Sequence, residues 1–136
     1  MSYCGCAEIW FKTLANEIGI VTMHSTVFMA NAAKICDMLD VSKIEQMLDV
    51  LIAARNQNGR LFILGVGGSA GNASYAVNDF RKLCLIDAYT PTDNVSEFSA
   101  RVNDEGIEST FIEYLKVCNL NKNDCLFVLS VGGGDK

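Results

Sequence analysis

Apolar residues recur at mixed three- and four-residue spacing through the first part of the chain, at Ile9, Trp10, Leu14, Ile18, Val21, Phe28, Ala32, Ile35 and Leu39. That spacing predicts one long helix or two over about 7–39. Gly19 and the β-branched Ile20-Val21-Thr22 mark a possible break. No Asp, Glu, Lys or Arg falls between Ile18 and Ala33. A helix apolar around most of its circumference needs cover on several sides, so packing against another subunit is expected. Asp40-Val41-Ser42 interrupts the pattern, and Ser42 with Glu45 fits a capping box. The next helix carries Ile44, Met47, Leu48, Leu51 and Ile52 on one side and runs to about Asn56, where Asn58-Gly59 ends it.

From Arg60 the pattern changes. Leu61-Phe62-Ile63-Leu64 is a short continuous apolar run between glycines, as a parallel strand buried on both faces requires. It enters Gly65-Val66-Gly67-Gly68-Ser69, after which Ala70–Lys82 reads as a helix. A second strand is expected at Leu83–Ile86, followed by the polar turn Thr90-Pro91-Thr92-Asp93-Asn94. Helices are expected at Val95–Val102 and Glu108–Val117, separated by Asn103-Asp104-Glu105-Gly106. A third strand, Cys125–Leu129, runs into Ser130-Val131-Gly132-Gly133-Gly134. Strand, glycine turn, helix, strand, helices, strand, glycine turn is the grammar of a βαβ parallel sheet. The expected organisation is therefore N-terminal helices over 1–58 and an α/β domain over 59–136. Three open strands leave an unprotected edge, so the domain reads as stopping before it is complete unless a partner covers that edge.

Composition narrows the classes. Half of the 136 residues are hydrophobic, 20% are charged and the formal net charge is −5. That is ordinary globular usage, and without a Lys/Arg block it argues against a nucleic-acid surface. No apolar run approaches the ~20 residues that span a bilayer, and the N-terminus is unlike a signal peptide. A cytoplasmic setting with no membrane partner is expected, and the six cysteines read as reduced thiols. Cys84 and Cys125 lie in apolar runs and read as small core residues. Cys4-Gly5-Cys6 has no second ligand pair to close a metal site, so no metal and no cofactor are expected.

Candidate chemistry concentrates at the glycine turns. Glycines between a strand and a helix let the backbone approach a ligand, and helix-mouth N–H groups favour an anion. Ser69 adds a hydroxyl there, and Ser130 leaves the third strand on the same edge of the sheet, where ligands of open parallel sheets bind. The turn lacks the Lys-Ser/Thr ending of a P-loop. Gly65, Gly67 and Ala70, with Asp87 further on, meet only a relaxed dinucleotide fingerprint, so nucleotide binding stands as a weaker competitor. Asp93, Asn94 and Glu97 suit sugar hydroxyls and helix capping equally. His24 and Trp10 read as packing residues, and Arg60, Arg81 and Lys82 as solvated charges.

These motifs resemble the sugar isomerase domain family, and within it the phosphoheptose isomerases. The resemblance rests on Gly65–Ser69, Tyr75-Ala76-Val77-Asn78-Asp79, Thr92-Asp93-Asn94, Asn103-Asp104 before Gly106, and Ser130. It implies a doubly wound, flavodoxin-like parallel α/β fold and a homo-oligomer, tetramer or dimer, that converts sedoheptulose 7-phosphate to a heptose 7-phosphate for surface polysaccharide. It implies that Gly67, Gly68, Ser69, Asn72 and Ser130 hold the phosphorylated sugar, together with Asp93, Asn94, Asn103 and Asp104. Such isomerases usually carry a His and, four residues later, a Glu on one helix face; this chain has Tyr75 and Asp79. An enediol isomerisation needs a base between adjacent carbons and an acid for the oxygens. Asp79 is the candidate base and Tyr75 the candidate proton donor. A non-catalytic sugar-phosphate-binding protein is the alternative.

Overall fold

The structure is a computed structural model that describes residues 24–131. The expectations for Cys4, Cys6, Trp10 and Gly132–Gly134 fall outside those residues. The chain divides into two compact units after Val41. In the first, helix α1 (His24–Met38) has no buried residue and leaves Phe28, Met29 and Ile35 more than 60% exposed. His24, expected as a packing residue, opens this helix and is exposed.

The second unit begins with helix α2 (Val41–Asn56), which starts one residue before the expected cap Ser42 and buries Leu51 and Ala54. Strand β1 (Arg60–Gly65) follows, then α3 (Gly68–Lys82), β2 (Asp87–Tyr89) and a short 3-10 turn at Pro91–Asp93. Helices α4 (Val95–Glu105) and α5 (Ile107–Val117) lead to β3 (Cys125–Leu129). The three strands form a parallel sheet, as the sequence pattern implies, and their order is β2-β1-β3. Among the described residues no helix is long and apolar enough to cross a membrane.

β1 is the central strand, and it is the one buried on both faces. Leu61 and Ile63, both fully buried, meet Ala73 and Val77 of α3 on one side. Phe62, on the other side, stacks on Tyr89 at 5.7 Å and meets the edge of Tyr114 of α5 at 6.4 Å. Alternation along the strand thus assigns α3 and α5 to opposite faces of the sheet. The half-buried Cys84 and Cys125 pack on the Leu61 side, as expected of small apolar residues.

Two elements differ from the pattern-based expectation. The second strand lies at Asp87–Tyr89, not Leu83–Ile86. α3 ends at Lys82, and the chain needs the next four residues to turn back onto the sheet; Leu85 adopts φ 55° there. Of the apolar run only Ile86 is buried, while Leu83 and Leu85 are 70% and 83% exposed. The second difference is at Asn103-Asp104-Glu105, which form the last turn of α4 rather than a loop. Gly106 alone separates α4 from α5, with φ 86°.

Arg60, expected as a solvated charge, is a clamp. Its guanidinium meets Asp124 at 2.7 Å and donates to the carbonyls of Cys118 and Asn119, while its backbone N–H donates to Asp124 Oδ1 at 2.9 Å. The Asp124 side chain is 1% exposed and also accepts from the Asn121 backbone. This fixes the start of β1 against the start of β3, in the register Leu61 with Cys125 through Gly65 with Leu129.

Candidate functional site

Because β1 and β3 are paired to their last residues, both chains leave the sheet level with one another, and the glycine turn comes to lie beside Ser130. Gly65 is required by close approach: a Cβ there would stand 2.6 Å from the Ser69 backbone. Gly67, the residue before α3, holds φ 59° and ψ −125°, a conformation open to glycine. Within the turn the Ser69 N–H donates to the Val66 carbonyl and those of Ala70 and Gly71 to the Gly67 carbonyl. The N–H groups of Gly67 and Gly68 remain at the mouth of the helix, where the orphan donors and the dipole favour negative charge. A Cβ added at Gly68 would meet nothing within 4 Å, and the residue borders open space.

A cleft of about 850 Å³ lies at this point, bounded by the ends of β1 and β3, by Gly68, Ser69 and Asn72 of α3, by Ser130 and Val131, and by Phe111 of α5. Its lining among the described residues contains no ionisable side chain. Any anion held here is met by hydroxyls, an amide and backbone N–H groups rather than by a counter-charge. Such neutral donors gain strength where water is excluded.

A second hollow, of about 370 Å³, adjoins it along α3 and is lined by Asn72, Tyr75, Ala76, Asp79, Phe80, Leu83 and Cys84. Asn72 borders both spaces. Tyr75 and Asp79, one helical turn apart, face this second hollow and not the glycine cleft itself. Asp79 is half-buried, and its carboxylate accepts a hydrogen bond from the Asn78 amide at 3.3 Å. Arg81 does not neutralise it: that guanidinium meets Asp87 at 3.5 Å and lies over the Tyr89 ring. The Tyr89 phenol, which donates to Asp87, has its pKa raised by that bond.

The other residues singled out by the sequence are not brought to the cleft. The Asn94 side chain accepts from the Glu97 N–H and caps α4, and Glu97 pairs with Arg101 at 3.0 Å. Asp93 borders a separate open hollow with Ser74, Arg81 and Lys82. Asn103 donates to Asp104 at 2.8 Å on the exposed end of α4. Phe111 is the cleft residue that sequence reasoning missed. A Phe in an amphipathic helix reads as core, and only the packing of α5 on the Phe62 face carries it to the strand ends.

Comparison with known proteins adds to this geometry. No family profile matches the chain. In sequence it is 29% identical over 107 residues to proteins named phosphoheptose isomerase from Burkholderia pseudomallei and Burkholderia mallei. The match covers 75% of this chain and 54% of each relative, so the chain spans about half the length of the curated relatives it matches. In structure it superposes on phosphoheptose isomerase GmhA from Neisseria gonorrhoeae with a TM-score of 0.67 and 21% identity, covering 80% of this chain and 61% of that one. The chain is similar to the phosphoheptose isomerases in sequence and has their fold.

Proposed function

We propose that the chain is the substrate-binding part of a sugar-phosphate isomerase of the phosphoheptose type, interconverting sedoheptulose 7-phosphate and the corresponding aldose phosphate. The observation that carries this reading is the uncharged glycine cleft at the carboxyl ends of β1 and β3, in a chain whose relatives bear that name. In this reading the phosphate sits on the amides of Gly67 and Gly68 and the hydroxyls of Ser69 and Ser130. The carbon chain then runs along α3 past Asn72, toward the hollow that holds Tyr75 and Asp79. Asp79 removes the proton from the carbon beside the carbonyl and returns it to the neighbouring carbon. Tyr75 gives and takes the proton on the oxygens, so the enediol never carries a full charge. Asp93, Asn94, Asn103 and Asp104 contribute only if the bound sugar or a second subunit reaches them. The assignment needs no cofactor, and it carries with it a cytoplasmic homo-oligomer that uses the N-terminal helices as its interface and supplies heptose for surface polysaccharide.

One observation favours a second reading. The candidate acid and base line a different hollow from the anion cradle, and Tyr75 is 71% exposed. A chain with an intact cradle and a displaced pair is a sugar-phosphate-binding protein. Phosphorus and proton NMR of sedoheptulose 7-phosphate incubated with the protein separates the two. New aldose signals establish the isomerase; phosphate signals that broaden without product establish the binding protein. Unchanged spectra would remove both.

A further inference from the structure

Ser69 and Phe111 reach the cleft from opposite faces of the sheet. Ser69 stands at the start of α3, which packs on Leu61 and Ile63. Phe111 stands on α5, whose Tyr114 packs on Phe62. The ring of Phe111 is braced by the edge of Phe98 from α4, with centroids 5.7 Å apart at 61°. Among the described residues it is the aromatic side chain of the cleft, half-buried, and shares the wall with the aliphatic Leu64, Val128 and Leu129 and the polar Ser69, Asn72 and Ser130. Phe111 packs on Phe98 and also lines the cleft, and a phenyl ring offers an anion no hydrogen-bond donor.

Resting on the sugar-phosphate reading above, we propose that Phe111 determines specificity at this site: it is the wall against which the carbon chain next to the phosphate packs. Among the described residues the cleft presents no cation to attract a phosphate. Its hold on an anion therefore depends on neutral donors, which are effective only when water is displaced from them. Inorganic phosphate brings nothing that displaces water from the Phe111 side. A phosphate ester brings C–H groups that fill that space and cover the ring. The site then selects phosphate monoesters of a carbon chain over free phosphate, and Phe111 supplies that difference rather than the anion contact itself.

The test measures dissociation constants of sedoheptulose 7-phosphate and of inorganic phosphate on the whole chain, by calorimetry, for the wild type, Phe111→Ala and Phe111→Leu. Phe111→Ala is expected to weaken the ester by roughly ten- to a hundredfold, the range for removing an apolar wall, and to change inorganic phosphate by less than about twofold. Phe111→Leu, which keeps apolar bulk, is expected to recover part of the loss. It also serves as the control should the alanine variant fold poorly, which circular dichroism would show. Equal weakening of both ligands would overturn the proposal, because a role in shaping the cradle moves both. An ester affinity unchanged in both variants would overturn it too, while leaving the sugar-phosphate reading intact. A wild type that binds neither ligand would overturn that reading, and this inference with it.

Discussion

Single positions decide both the chemistry and the strain of this chain. Asp79 is half-buried beside Asn78, and among the described residues no cation pairs with it. Asp79→Asn keeps the shape and removes the proposed base. Turnover of sedoheptulose 7-phosphate is expected to vanish while its dissociation constant changes less than about threefold; retained turnover would remove Asp79 from the mechanism. Leu85 presents the opposite case. It holds φ 55° with its side chain 83% exposed, so it carries the cost of a left-handed conformation and gains little from burial. Leu85→Gly should raise stability by about 0.5–1 kcal/mol, read as a higher denaturant midpoint with an unchanged slope. A lower midpoint would show that Leu85 is covered in the working protein.

At the scale of elements, the register of β3 on β1 brings the two turns level, and Arg60 with Asp124 is what fixes its lower end. Arg60 and the backbone bonds from Arg60 and Asn121 hold the Asp124 carboxyl down at about pKa 2, against an ordinary 3.8. A depressed folded pKa means that this contribution is complete above the unfolded value and disappears as pH falls from about 4 toward 2. It is of the order of 2 kcal/mol. Asp124→Asn removes it and sets an amide N–H₂ against other donors, so a loss of about 2–3 kcal/mol at neutral pH is expected. The variant's acid unfolding curve should be flatter between pH 4 and 2 than the wild type's. Parallel curves would assign that acid sensitivity to other carboxylates.

For the whole molecule, the apolar residues left in water are the informative feature. α1 has no buried residue, and Phe28, Met29 and Ile35 are 63%, 66% and 62% exposed. Isolated exposed apolar residues are ordinary, but an apolar helix with no buried position among the described residues calls for a covering surface. The oligomer proposed above predicts that sedimentation equilibrium yields a species heavier than the 14.8 kDa chain. Phe28→Asp together with Ile35→Asp should shift it toward the monomer. A monodisperse wild-type monomer would remove the interface role of these helices.

What the sequence determined by itself was the set of local facts. Two of the continuous apolar runs, Leu61–Leu64 and Cys125–Leu129, fall within observed parallel strands, and only the first is buried, Leu126 and Val128 of β3 being 45% and 62% exposed. Glycines between strand and helix give a turn, because close approach at Gly65 and the φ of Gly67 exclude side chains wherever the turn lies. What only the tertiary structure decided was anything that depends on where an element ends or what it meets. Leu83–Ile86 looks like a strand in one dimension; the reversal after α3 consumes it, and the three residues that pair with β1 begin at Asp87. Arg60 looks like any surface arginine until Asp124, far along the chain, arrives beneath it. Phe111 looks like core until α5 is laid on the Phe62 face. Periodicity and propensity act over a few neighbouring residues, whereas partners distant in sequence are chosen by the packing of whole elements. For that reason the glycine turn was legible in the sequence, and the Arg60–Asp124 clamp and the placement of Phe111 at the strand ends were not.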